Sequence, residues 1–291
     1  MSIIDDIKNT FRLKHNGLNR LILVNVAVFA IVNIVDALAR LSGSFFLLEV
    51  PFLLPARFSL FMEHFWTLFT YMFFHTEFWH IFFNMMWLYS IGSIFAELMG
   101  SKRLVGTYIL GGLSGGLLYL LVAAVFPTPF MGIGLLGASA GVMAVVVAAA
   151  WHAPNLTLQV FMLGPVRLKY IALVSFVLYS LIDLSSNTGG KVAHIGGAAF
   201  GLIFAMQYGK GNDLTRGLTG IFDMFGAMFK SRERQNVKIA YKRPVSDEVY
   251  NEKKLEEQKR VNAILDKISR SGYDSLSKEE KDFLFKASGK L

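Results

Sequence analysis

Six stretches of the chain are apolar on every side, with neither the alternation of a half-buried strand nor the polar face of a surface helix. They are residues 21–35 (extending to 38), 78–95, 104–126, 135–151, 170–182 and 192–207. The longer ones match the roughly 20 residues that a helix needs to cross a bilayer. The pattern predicts an all-α membrane protein, a bundle of six transmembrane helices. Spans four and five are short. Such helices sit in a thinned bilayer, or begin below the surface in a protein-lined cavity. The connection between spans one and two, residues 39–74, is rich in Phe and Leu. It is too apolar for a free loop, so its expected place is the membrane interface.

After span six the pattern changes. Ile221, Phe222, Phe225, Met228 and Phe229 recur at helical spacing and predict a short helix, interfacial or docking on a partner, with the interface favoured. Residues 231–244 read as a basic linker. From Val245 the chain reads as helix, turn and second helix. Gly272 is the expected stop, and Ser277 with Glu280 forms a capping box. The expected organisation is a cytoplasmic N-terminal segment (1–20), a membrane domain (21–208), an interfacial helix with a basic linker (209–244) and a cytoplasmic helical hairpin tail (245–291).

Composition agrees with this pattern. Of 291 residues 54% are hydrophobic and 17% charged, against about a quarter charged in soluble domains. Well over half of the charged side chains follow Tyr208. The net charge of +8 does not imply nucleic acid, because the tail mixes both signs and the other positives flank the spans. The N-terminus, Lys102 with Arg103, Arg167 with Lys169, and the tail fall on one side. Arg40, Arg57 and Lys191, offset by Glu49, Glu63 and Asp183, fall on the other. The positive-inside rule then puts both termini in the cytoplasm. The first apolar run has no small-residue cleavage pattern and reads as an uncleaved span. The absence of cysteine excludes disulfides, thiolate metal sites and a cysteine nucleophile.

Polar residues at membrane depth are costly and mark function. Span two starts "HTEFWHIFFNMMW", which puts His80 and Asn84 one turn apart on one helix face, with His75 just before it. Span six starts "KVAHIGGAAFGL". Gly197 and Gly201 form a small-xxx-small pair that lets another backbone approach, with His194 near that contact. Span four starts "GLLGASAGVMAVVV", with Ser139 between Gly137 and Gly141. Two readings of this serine stay open on the residues alone. One is packing between glycines. The other is a nucleophile whose proton passes to His194, if spans four and six are close neighbours and meet through Gly137 and Gly141 on one side and Gly197 and Gly201 on the other. No Asp or Glu is placed to orient His194, so the second reading is a dyad. There is no HExxH motif and no aspartate pair within the spans. His75, Glu77 and His80 do not have a strong ligand spacing, so no metal and no cofactor is implied.

Taken together these motifs resemble the rhomboid family of intramembrane serine proteases. The resemblance covers roughly residues 18–208. It rests on Gly137-Ala138-Ser139 for GxS, on Ala193-His194 with Gly197 and Gly201 for AHxxGxxxG, and on His75, His80, Asn84 and Met85 for HxxxxHxxxNM. It implies Ser139 as nucleophile and His194 as general base and then acid. It implies an oxyanion hole from His80, Asn84 and the Ser139 N–H, and a brace from Glu97 at the cytoplasmic end. The implied substrates are single-span membrane proteins cut near a span end, and the implied location is the inner membrane of a bacterial cell. Three positions depart from the family pattern. Trp66-Thr67 stands where Trp-Arg is common, Met143 where an aromatic often stacks on the histidine, and Ala140 where glycine often follows the serine. The last fifty or so residues resemble a helical segment appended to some bacterial members, read here as docking on a cytoplasmic partner or on the bundle's inner face. The competing class is a non-catalytic rhomboid-like protein that binds or chaperones spans. Inactive relatives usually lack the serine or the histidine, and both are present here.

Overall fold

A computed structural model describes residues 17–43, 48, 50–130, 134–160, 163–180, 187–229 and 247–288. It divides into two units, Met1–Ser231 and Arg232–Leu291. The N-terminal segment before residue 17, the linker and the end of the predicted fifth span fall outside the described residues.

Among the described residues of the first unit, four helices are long and apolar enough to cross a membrane: α1 (Gly17–Leu41), with three that lie further along the chain. Two short helices, α2 (Phe58–Glu63) and α3 (Thr67–Thr70), break up the long first connection. The second and third long helices are α4 (Phe78–Met99) and α5 (Ser101–Val125). Shorter apolar helices follow, α6 (Ser139–His152) and α7 (Leu168–Ser180), then the last long one, α8 (Thr188–Gly209). Helix α9 (Arg216–Phe229) closes the unit. The short helices α6 and α7 coincide with predicted spans four and five. At 14 and 13 residues they reach only about 20 Å, less than the roughly 30 Å hydrocarbon core.

Burial separates the roles of these helices. In α1 only Leu18, Leu21, Asn25 and Val32 are buried, while Val24, Val26, Ile31, Ile34 and Leu38 are exposed. That is the signature of a helix facing lipid on most of its circumference. In α4, Ile81, Asn84, Met85, Leu88, Ile91 and Phe95 are buried. Phe78, Trp79, Phe82 and Phe83 stack on one another on the exposed face. Helix α6 is buried along nearly its whole length. Its Ala, Val and Gly residues leave room for neighbours to approach from several sides.

Close approach between α6 and α8 was expected, and it occurs, but through a different face of α6. A Cβ on Gly197 would overlap the Ala140 carbonyl, and one on Gly201 the Ala144 carbonyl. The α6 surface that meets α8 is therefore Ala140 and Ala144, four residues apart, and not Gly137 and Gly141. The helical repeat explains the difference. Gly141 is one residue on from Ala140, about 100° around the helix, and lies against Tyr108 of α5. Gly137 precedes the helix and lies against His80. On its other side α8 meets α5, where Gly196 rests on the Gly115 backbone and Ser114 Oγ donates to the Gly196 carbonyl at 3.0 Å.

The connection from α6 to α7 is an antiparallel hairpin, β1 (Thr157–Val160) with β2 (Gly164–Arg167), pairing Thr157 with Arg167 and Val160 with Gly164. The alternation in "TLQV" and the positive φ of Gly164 (72°) are its local signals. At the end of α8, Arg103 Nε donates to Asp213 Oδ2 at 2.7 Å and Arg103 Nη1 to the Met99 carbonyl at 2.8 Å. Thr215 Oγ1 also donates to Asp213, at 2.6 Å. Partial desolvation raises the Asp213 pKa, but the Thr215 and Arg103 hydrogen bonds outweigh it, so the carboxyl is held below its ordinary value. Glu97, the expected brace, is exposed.

The second unit is a helical hairpin of α10 (Asp247–Ser271) and α11 (Lys278–Ser288). Gly272, at φ 76°, ends α10. The capping box forms as expected: the Ser277 N–H donates to Glu280 Oε2 at 2.8 Å, and the Glu280 N–H to Ser277 Oγ at 3.3 Å. Ile264 and Leu276 are buried, and the Arg260 guanidinium lies 4.6 Å from the Phe283 ring centroid. Phe285 is exposed.

Candidate active site

Residues from three separate motifs line one cavity. It has a volume of about 510 Å³ and includes Ser139, His194, His80, Asn84 and Met143 in its wall, with Glu77, Tyr179 and Lys191. Ser139 is the first residue of α6. The N–H groups of a helix's first turn have no acceptor within the helix, and their dipoles place partial positive charge there. Met143, one turn further on, faces the same space.

The segment leading to Ser139 is held from the first connection by backbone bonds. Leu54 and Leu135 exchange N–H···O bonds at 3.0 and 2.8 Å, and the Gly137 N–H donates to the Tyr71 carbonyl at 3.0 Å. Tyr71 is in turn anchored, its hydroxyl donating to the Gly112 carbonyl of α5 at 2.6 Å. The Ala138 N–H donates to His75 Nε2 at 3.1 Å. His75 thus contributes to the site as a buried acceptor that holds the residue before the serine. Gly137 has φ 114°, and a Cβ there would come within 2.6 Å of the His80 ring. Only glycine suits this position, for both conformational and steric reasons.

Packing at the base of α8 positions His194. It is buried, and its Nδ1 lies 2.9 Å from the Tyr179 carbonyl of α7. A carbonyl only accepts, so the proton of the neutral ring is on Nδ1 and Nε2 keeps a lone pair. The Tyr179 ring also meets the imidazole edge-on, with centroids 6.4 Å apart at 83°. Sequence reasoning found no carboxylate to orient His194 and no aromatic at Met143. The orienting group is Tyr179, through its main chain and its ring, and an acceptor on the main chain leaves no trace in residue type.

Asn84 is buried, and its Nδ2 donates to the His80 carbonyl at 2.9 Å. One of its two amide hydrogens is therefore used within α4, and Asn84 also lines the cavity. The His80 ring packs edge-on to His75, with centroids 5.0 Å apart at 69°. Trp66 Nε1 donates to the Pro51 carbonyl at 3.1 Å, and the buried Thr67 donates to the His64 carbonyl at 2.6 Å. The first connection is thus tied internally at the position where the family pattern often carries arginine. Glu97 is not in the cavity wall. Gly141, Gly197 and Gly201 act on helix spacing, as described above.

A serine at a helix start, a histidine whose Nδ1 faces a main-chain carbonyl, an asparagine and a second histidine thus line one cavity of the helix bundle. The family profile described as "Rhomboid domain" matches residues 62–211, and the chain belongs to the rhomboid family of multi-pass membrane proteins. A second profile, a family of unknown function designated DUF6576, matches residues 246–290. The chain is 33% identical over 159 residues to a curated protein of Arabidopsis thaliana named "RHOMBOID-like protein 12, mitochondrial". That match covers 50% of this chain and 47% of the relative, so the chain spans about half the length of the curated relative.

Proposed function

We propose that the protein is an intramembrane serine endopeptidase that hydrolyses peptide bonds in or near transmembrane segments by a Ser139–His194 dyad. The observation that carries this reading is the meeting of Ser139, His194, His80 and Asn84 around one cavity. In the proposed reaction His194 Nε2 takes the proton of Ser139 as its Oγ attacks the scissile carbonyl carbon. The negative charge that develops on the carbonyl oxygen is met by N–H donors from Asn84, His80 and the start of α6, in a site where water is scarce. The imidazolium then donates its proton to the leaving amine. Water, deprotonated by the same nitrogen, releases the acyl group from Ser139. The Tyr179 carbonyl supports this cycle by holding Nδ1–H throughout.

In this reading α1, α4, α5, α6, α7 and α8 are six spans. The short α6 begins below the outer surface, so that the cavity opens to water from outside. The termini lie in the cytoplasm, with the second unit appended there, and the membrane is the inner membrane of a bacterial cell. Substrates are single-span proteins whose helix loosens near the cut, because an intact helix keeps its carbonyls engaged and shielded. The test is a panel of labelled single-span proteins incubated with the purified wild-type protein and with Ser139→Ala. Cleavage by the wild type alone supports the reading. Intact substrates in both reactions, with folded protein, favour a span-binding role without catalysis.

A further inference from the structure

Lys191 is not part of the proposed chemistry, and its placement is physically unfavourable. Its side chain is buried, with 7% of its surface exposed, and its Nζ has no hydrogen-bond partner among the described residues. It is the fourth residue of α8, at the positive end of the helix dipole. An ammonium group buried without a partner costs several kcal/mol. Near the outer end of a span, a long lysine side chain would ordinarily extend to water. Instead Lys191 lines the same cavity as Ser139 and His194. It precedes His194 by three residues, about 4.5 Å along the helix axis and on the same side. Of the acidic residues, Glu77 also lines the cavity, but it is exposed and is not bonded to Lys191. His80 and His194, which also line that wall, supply no negative charge.

We propose that Lys191 is a specificity-determining residue: its ammonium group receives the carboxylate of an Asp or Glu beside the scissile bond of the substrate. The inference rests on the protease reading above. An anionic side chain entering the cavity supplies the missing hydrogen-bond acceptor and the countercharge together. A charge-assisted hydrogen bond of this kind corresponds to about ten- to a hundredfold in kcat/KM. The stability cost borne by the unoccupied site is then the trace of a binding role.

The experiment pairs wild type with Lys191→Met, which keeps length and apolar volume, and with Lys191→Glu, which reverses charge. Each is given one single-span substrate in versions with Asp, Asn or Lys at successive positions around the cut. Wild type should prefer Asp over Asn about tenfold or more at one of these positions. Lys191→Met should lose that ratio, and Lys191→Glu should turn it toward Lys. Lys191→Met should also melt higher than wild type in detergent, a readout independent of cleavage. A wild-type enzyme that cuts all versions equally would overturn this inference and leave the protease reading intact. Loss of phosphatidylglycerol dependence in Lys191→Met, with substrate preference unchanged, would overturn it in favour of a lipid headgroup. No cleavage of any version by wild type overturns the protease reading, and this inference with it.

Discussion

Asn84 shows how much one side chain can carry. It is buried, spends one amide hydrogen on the His80 carbonyl, and lines the same cavity as Ser139. Removing one oxyanion donor typically lowers turnover about 100- to 1,000-fold. Asn84→Ala should fall in that range in single-turnover cleavage while still reacting with a serine-directed probe. A wild-type rate would mean that the amide only ties α4 to itself. At this scale much of the site was legible in residue type. A serine, two histidines and an asparagine are costly at membrane depth, so their presence pointed to chemistry. Tyr179 was not legible, because what it offers His194 is a main-chain carbonyl that any residue has. Lys191 was read as a charge on the outer side. Its burial depends on how α8 packs, which charge patterning does not report.

The element scale is dominated by α8 wedged between α5 and α6. Sequence spacing identified Gly197 and Gly201 as the close-approach pair, and both meet α6 backbone. It misassigned the partner face, since glycine was taken as the mark of contact on both helices. On α6 alanine is small enough, and the true contacts are Ala140 and Ala144. The obstacle at Gly201 is backbone, which cannot move aside. Gly201→Val should therefore destabilise by about 1–3 kcal/mol or more, lowering the melting temperature in detergent. Gly217→Ala in α9, which meets nothing within 4 Å, should be neutral or slightly stabilising. Equal melting of the two variants would contradict the wedge. Patterning also missed the hairpin of β1 and β2, whose four-residue strands are too short to stand out between apolar helices. The Arg103–Asp213 pair yields a prediction with a definite sign. Its carboxyl is held below the ordinary value, so its contribution to stability is full above about pH 4 and fades as pH falls through the lower native value. The melting difference between wild type and Asp213→Asn should be present at pH 7 and shrink in acid. A constant difference would show that the pair acts by hydrogen bonding or packing alone.

For the whole molecule, hydropathy separates an apolar stretch from a charged C-terminal one along the sequence, and the structure divides into two units after Ser231. The division at residue 231 falls within the stretch read as interfacial helix and linker. The helical hairpin has few buried apolar groups, Ile264 and Leu276 chief among them. Chains of roughly 40 residues or fewer seldom fold strongly alone. The hairpin has no histidine or cysteine and is assigned no part in the chemistry. Truncation after Lys242 should leave cleavage in detergent nearly intact, and a reporter fused after Leu291 should be active only in the cytoplasm. A folded but inactive truncation would make the hairpin part of the catalytic unit, and an external reporter would mean an odd number of spans. The central claim is that Ser139 is an activated nucleophile. The most direct measurement is labelling with a fluorophosphonate probe, followed by mass-spectrometric mapping of the modified residue. The account predicts a single adduct on Ser139 in the wild type, lost in Ser139→Ala and strongly reduced in His194→Ala with the fold retained. No adduct on Ser139 in folded wild-type protein, or equal labelling of wild type and Ser139→Ala, would contradict it.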